Sequence, residues 1–404
     1  MSPDISVVLR DDDNHGTVLK LSCRDHQSVT KKGNGARSRS RREHAYRVNR
    51  ILIVSDAWFP LTNGVVTTLA QTAGWLGRFG HEVRVLGPAQ FRTVSCPSYP
   101  EIRVALLPGR ALACEIERFR PQALHIATEG PLGWAARRYC RRRGMRFTTS
   151  YHTQFPQYLR SRLPLPLWSS YAALRCFHAA AQHCMVSTDT VHRELWARGF
   201  RNLVRWSRGV DTQLFRPRGK DFLSLPRPIA AYVGRLAVEK NVDAFLQMPW
   251  RGSRIVIGDG PERARLQAQY PQVGFAGYRF GEDLAAHLAA ADVMVFPSRT
   301  DTFGLVNLEA MACGVPVAAY PVTGPIDVIE DGVTGALDED LGRAALRALA
   351  IDPRACRERA LASGWDACTR EFESHLVECL PSGTALHATP RRALGRPAQR
   401  PIAR

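Results

Sequence analysis

No apolar run in this sequence approaches the roughly 20 residues needed to span a bilayer, so no membrane-spanning helix is expected. The first residues, Met1-Ser-Pro-Asp-Ile-Ser-Val-Val-Leu-Arg-Asp-Asp-Asp13, lack a basic start and a long apolar core, so no signal peptide is expected there. Ten cysteines are scattered without a Cys-x-x-Cys pair or a His/Cys cluster. They read as reduced, mostly buried thiols of a cytosolic protein. What remains is ordinary globular composition, 45% hydrophobic and 23% charged. At 404 residues the chain should hold about two domains with ample core.

A net charge of +18 raises the question of nucleic acid or an anionic membrane as partner. Residues 1–50 carry 11 Lys/Arg against 6 Asp/Glu, and residues 381–404 carry 5 Arg and no acid, so each end contributes +5 and +8 remains between them. Lys31-Lys-Gly-Asn-Gly-Ala-Arg-Ser-Arg-Ser-Arg-Arg42 has no hydrophobic periodicity. Residues 1–49 therefore read as a disordered basic extension, which a misassigned start codon would also explain, and 381–404 as a disordered basic tail. Much of the charge excess lies outside the fold, and no specific nucleic acid is expected.

Patterning begins at Arg50-Ile-Leu-Ile-Val-Ser-Asp56, a short buried strand, followed by a loop to Gly64 and a helical stretch from Val65 to Phe79. Gly80-His-Glu-Val-Arg-Val-Leu-Gly87 is the next strand, completing a βαβ unit and implying a parallel sheet. Strands at Ala123–Ala127, Met145–Tyr151, Gln182–Thr188 and Leu203–Ser207, with a helix from Pro131 to Arg143, continue the alternation. Phe215–Pro228 reads as a linker. A second alternation follows, with strands at Ile229–Val233, Ser253–Gly258, Val273–Ala276, Ala291–Phe296 and Val315–Tyr320. The expectation is α/β: two doubly wound, Rossmann-like domains, 50–215 and 226–364, facing a cleft, with ligands at strand carboxyl ends.

The densest chemistry lies in Phe296-Pro-Ser-Arg-Thr-Asp301-Thr-Phe-Gly-Leu-Val-Asn-Leu-Glu309. A buried strand, a turn at Gly304 and a helix opening on Leu305 and Val306 let backbone N–H groups face a phosphate. Two carboxylates beside such a site suit sugar hydroxyls, so the stretch predicts a nucleotide-sugar site. Gly234-Arg235-Leu-Ala-Val-Glu-Lys240-Asn241 adds two cations five positions apart, a fork and a point charge. Aimed at a departing diphosphate, each is worth roughly 3 kcal/mol in a dry site.

Asp301-x7-Glu309 resembles the Glu-x7-Glu signature of retaining GT-B glycosyltransferases, the group that includes sucrose synthase and the lipid mannosyltransferases. Asp301 here stands one methylene shorter than the usual Glu. The Arg235/Lys240 element resembles the same family's Gly-Arg-x4-Lys-(Gly/Asn), and Ser207-Arg208-Gly209-Val210-Asp211 its hinge turn. The resemblance spans roughly residues 50–380. It implies a GT-B fold, with the acceptor on the first domain, the nucleotide on the second, and a last helix near 365–380 crossing back. It further implies diphosphate binding by Arg235 and Lys240, with backbone help from Asn63-Gly64 (the family usually has Gly-Gly), Gly304, Leu305 and Val306. Asp301 would orient the transferred sugar, Glu309 the ribose, and Phe275, in Gly274-Phe-Ala-Gly-Tyr278, the base. His152 would touch the donor sugar and offers a titratable ring; Glu129 and Tyr151 would lie on the acceptor side.

The texture is nearest to bacterial α-mannosyltransferases and sulfoquinovosyl- and mannosyl-diacylglycerol synthases. The expected reaction moves a hexose, α-mannosyl from GDP-mannose first, to a hydroxyl with retention through a same-face mechanism. No Asp-x-Asp lies beside the donor loops, so metal independence is expected, with no cofactor beyond the nucleotide-sugar substrate. The helix carrying Arg137, Arg138, Arg141, Arg142 and Arg143, with Arg146 after it, is either a solvated face or a membrane-facing patch. With the apolar, Arg-interleaved Leu159–Trp168 it suits a lipid or glycan acceptor and a peripheral place at the inner face of the cytoplasmic membrane. The rivals are a UDP-sugar-dependent glycolipid synthase, another GT-B enzyme such as a nucleotide-sugar epimerase, and a non-catalytic basic membrane- or nucleic-acid-binding protein.

Overall fold

The computed structural model describes residues 50–96, 99–160 and 166–380. The two basic ends and part of the 159–168 segment lie outside the described residues. In chain order the strands are β1 (Arg50–Val54), β2 (Glu82–Leu86), β3 (Thr93–Cys96), β4 (Tyr99–Ala105), β5 (Ala123–Ile126), β6 (Thr148–Tyr151), β7 (His183–Val186) and β8 (Leu203–Arg205). After them come β9 (Ile229–Val233), β10 (Ser253–Ile257), β11 (Gly274–Gly277), β12 (Val293–Phe296), β13 (Val317–Ala319) and β14 (Gly335–Leu337). They form two six-stranded parallel sheets, ordered β2-β1-β5-β6-β7-β8 and β11-β10-β9-β12-β13-β14, while β3 and β4 make a separate antiparallel hairpin.

Alternate residues of the central strands face opposite layers of helices, which is why these strands read as continuous apolar runs. Ile51 and Ile53 join one cluster of the first sheet, Leu52 and Val54 the other. Ile229 and Ala231 are divided from Ala230 and Tyr232 in the same way in the second. Strand order reverses between β1 and β5 and between β9 and β12. At such switch points the helices leave in opposite directions and open a crevice beyond the strand ends. Val54 lies opposite both Leu86 and Ile126, so the carboxyl ends align and their loops share one edge.

The last helix, Trp365–His375, places Trp365, Cys368 and Phe372 in the first sheet's core beside Ile51, Ile53 and Trp206. It ends sooner than the sequence suggests. The Cys379 N–H binds Gln122 O at 2.7 Å and its carbonyl accepts from Arg146 at 2.7 Å, so this segment pairs with neighbouring chain rather than continuing a helix. The same contact explains why the expected strand at Met145 starts only at Thr148. No helix among the described residues is long and apolar enough to cross a membrane.

Candidate active site

Lys240 leaves β9 through a short 3-10 turn, Val238–Lys240, and Asp301 follows β12, so the β9/β12 switch brings them together. Lys240 Nζ donates to both carboxylate oxygens of Asp301, at 2.6 and 2.8 Å. Asn241 ties the two loops by donating to Pro297 O at 3.1 Å. Arg235 lies half-buried in the same loop, its carbonyl accepting from the Tyr232 hydroxyl at 2.8 Å. The sequence predicts separate tasks for Asp301 and Lys240; the structure makes them one ion pair.

The helix Leu305–Ala312 begins beside this pair. Gly304 enters it at φ 82°, and a Cβ there would lie 2.6 Å from Asn307 Nδ2 and 2.9 Å from Phe296 Cζ, so only glycine fits this turn. No side chain caps this N-terminus, leaving its first N–H groups for an anion. The facing helix, Gly64–Arg78, behaves differently. Asn63 Oδ1 accepts from Val65 N and Val66 N, both at 3.0 Å, so its carboxamide caps the helix whose start was expected to offer backbone N–H groups to the donor. Leu305 packs with Val65 and Trp58 against the first sheet's core, and a Cβ at Gly64 would lie 3.7 Å from Leu305 Cδ1. The two helix starts therefore meet across the cleft.

Glu309, one turn into its helix, is partly exposed, and while its carbonyl accepts from Cys313 N at 3.1 Å, its carboxylate is left for other donors. Loss of hydration raises its pKa to about 7. An under-solvated carboxylate awaiting donors is what a pair of ribose hydroxyls would satisfy.

His152 follows β6 and is 9% exposed. Arg208 Nη2 lies 3.2 Å from its Nδ1, and the His152 carbonyl accepts from Thr302 Oγ1 at 2.6 Å. Thr302 O in turn accepts from Ser187 Oγ at 3.0 Å, so the loop bearing Asp301 is latched to the first domain at the histidine. Burial first, and then the Arg208 charge, holds the ring's pKa well below the usual range, so it stays neutral rather than titrating near pH 7.

Of the two residues expected on the acceptor side, Tyr151 is buried in the core and Glu129 pairs with a histidine beyond the end of β5. Tyr151 is 1% exposed and packs with Tyr171, Leu174 and Val186 in the core. Side chains alternate along a strand, so Tyr151 faces that cluster while His152 after it packs against Trp206 on the other side. Glu129 Oε1 lies 3.1 Å from His178 Nε2. Burial opposes charge on that histidine, yet contacts with Cys184 and Glu129 carry its pKa up to about 10, so this is a partly buried ion pair. Phe275 sits on the outermost strand of the second sheet, half-buried against its core and two strands from the switch point.

Two further placements differ from expectation. Arg137 is buried and donates to Cys176 O at 2.7 Å and Phe177 O at 3.0 Å, leaving Arg138, Arg141 and Arg142 on the open face. An Asp-x-Asp spacing does occur, at Asp338-Glu-Asp340. Arg343 binds Asp338 twice at 2.6 Å, and Asp340 caps its own helix at 3.1 Å. Sequence reasoning passed over Thr302 and Ser187, whose hydroxyls carry the latch; small polar residues in loops give no periodic signal.

Two facing Rossmann-like domains with the site between them define the GT-B class of glycosyltransferase. Residues 62–214 match the family model described as Glycosyltransferase Family 4, and residues 227–350 the one described as Glycosyl transferases group 1. The chain is 31% identical over 314 residues to a GDP-mannose-dependent alpha-mannosyltransferase of Mycobacterium tuberculosis, covering 71% of this chain and 83% of that protein. It is also 31% identical over 323 residues to a sulfoquinovosyl transferase of Arabidopsis thaliana, covering 71% and 62%. Among solved structures, sucrose-phosphate synthase of Thermosynechococcus elongatus shares the fold at TM-score 0.65 and 21% identity, over 81% of this chain and 98% of that one. The chain belongs to the family 4, group 1 type of glycosyltransferases.

Proposed function

We propose that this glycosyltransferase moves an α-mannosyl group from GDP-mannose to a hydroxyl acceptor with retention of configuration. The observation that carries the reading is the meeting of the uncapped Leu305 helix with the Lys240–Asp301 pair at the β9/β12 switch. The diphosphate docks on the N–H groups of Leu305 and Val306, and Lys240 and Arg235 neutralise the charge that grows on it as the glycosidic bond breaks. Asp301, held by Lys240, orients the sugar; Glu309 accepts from the ribose; His152 meets the sugar from the first domain. A diphosphate oxygen on the same face takes the acceptor's proton. These cations do the electrostatic work, so the reaction proceeds without a metal.

GDP-mannose is favoured because relatives named for it align over most of their length. A UDP-sugar is the second reading, favoured by the fold shared with an Anabaena HepE structure holding UDP and glucose, at TM-score 0.63 and 16% identity. The acceptor is a membrane lipid or envelope glycan. Arg110, Arg138, Arg141 and Arg142 rim a surface groove together with Trp134 and Leu107, which is 90% exposed, and that mixture fits anionic headgroups. The enzyme then works at the inner face of the cytoplasmic membrane. Calorimetric titration with GDP-mannose and UDP-glucose tests the donor: tighter binding of GDP-mannose supports the first reading, and the reverse order replaces it with the second.

A further inference from the structure

Arg208 is 5% exposed and is held from several sides. Its Nη1 donates to Trp206 O at 2.7 Å and Ser207 O at 2.8 Å, and its guanidinium stacks 4.3 Å from the Trp206 ring centroid. The backbone beneath it is equally constrained: a Cβ at Gly209 would lie 2.7 Å from Trp365. From this fixed seat Nη2 reaches His152 Nδ1 at 3.2 Å. The imidazole packs edge-on to the same Trp206, and its carbonyl is held by Thr302. Its other nitrogen, Nε2, is buried without a hydrogen-bond partner among the described residues.

A guanidinium carries donors only, so the nitrogen facing it must present a lone pair. A neutral imidazole with its lone pair on Nδ1 carries its proton on Nε2. We propose that Arg208 is a positioning residue that fixes His152 as the Nε2–H tautomer, making it a neutral hydrogen-bond donor to an oxygen of the donor sugar. This rests on the donor-site reading of His152 given above. A buried donor without an acceptor is costly, and a sugar oxygen docking beside Asp301 removes that cost. With its lone pair already engaged, His152 takes no proton in the reaction. The charged and titratable groups around the ring, Arg208, His125 and His178, all oppose a second proton.

The test is the ring nitrogen spectrum of the 15N-labelled full chain, with His152 identified by the signals lost in His152→Ala. Wild type should show Nδ1 unprotonated and Nε2 protonated, unchanged from pH 5 to 8. In Arg208→Met the tautomers should mix, the ring should titrate towards the unperturbed pKa of about 6.5, and kcat/KM should fall roughly tenfold, the loss of one hydrogen bond. Arg208→Lys should restore the wild-type ring signals. An Nδ1–H tautomer or a titrating ring in wild type overturns the proposal, even where Arg208→Met fails to fold. Free tautomer exchange alongside a damaged His152→Ala enzyme overturns the role of Arg208 alone. A fixed tautomer with full activity in His152→Ala overturns the donor-site reading of His152, and this role with it.

Discussion

At the scale of single residues, the site is organised by charges that have partners and one that waits for them. Lys240 and Asp301 neutralise each other at 2.6 Å, so neither can be altered alone without stranding its partner. Asp301→Asn should weaken transfer strongly, and combining it with Lys240→Ala should cost much less than the two single losses together, because both remove one unit. Steady-state kinetics of the cycle checks this. Glu309 is the waiting charge. Its folded pKa, about 7, exceeds the ordinary carboxylate value of 4.5. Between those values the folded state holds a proton that the unfolded state has lost, so stability falls as pH rises through that window. Ribose recognition needs the ionised form, so kcat/KM should instead rise with pH through about 7. In Glu309→Gln that acid limb should vanish, leaving a low and flat profile.

Elements explain why some of this was legible in the sequence and some was not. The carboxylate and cation spacings could be read because each sits where an apolar strand ends and a glycine turn begins, and both signals are local. Tyr151 was placed on the acceptor side because a residue that closes a strand can face either layer; only its packing with Tyr171, Leu174 and Val186 shows that it faces the core. The Asn63 cap went unseen because a helix-capping asparagine and a plain turn asparagine look alike in sequence; only the 3.0 Å contacts to Val65 and Val66 separate them. Arg137 was counted with its exposed neighbours because the carbonyls that bury it lie on another helix. The Leu305 helix gives the prediction at this scale. Gly304→Ala forces a side chain into the left-handed region against Asn307 and Phe296. It should cost about 1–2 kcal/mol in thermal unfolding and reduce donor affinity in the same protein.

For the whole molecule, function depends on two sheets presenting their switch points to one cleft and on a few hydroxyls that hold them together. Ser187, Thr302 and His152 form one latch; Thr190, which donates to Asp327 Oδ1 at 3.2 Å, belongs to another. Such contacts join residues more than a hundred positions apart, so no local pattern announces them. Charge is distributed on the same scale. With +5 at each end, any charge-driven retention on nucleic acid should be lost when both ends are removed, with transfer left intact. Replacing Arg138, Arg141 and Arg142 with Ala should lower partitioning onto anionic vesicles by about 1 kcal/mol per residue, measured by co-sedimentation, without changing donor binding.

The central claim is that the Leu305 helix and the Lys240–Asp301 pair form the diphosphate site of a sugar transferase. The most direct test is release of GDP from GDP-mannose by wild type and Lys240→Ala, with thermal unfolding of both proteins recorded alongside. Wild type should release GDP, and the variant, its fold retained, should do so roughly a hundredfold more slowly. Equal rates in the two folded proteins would contradict it.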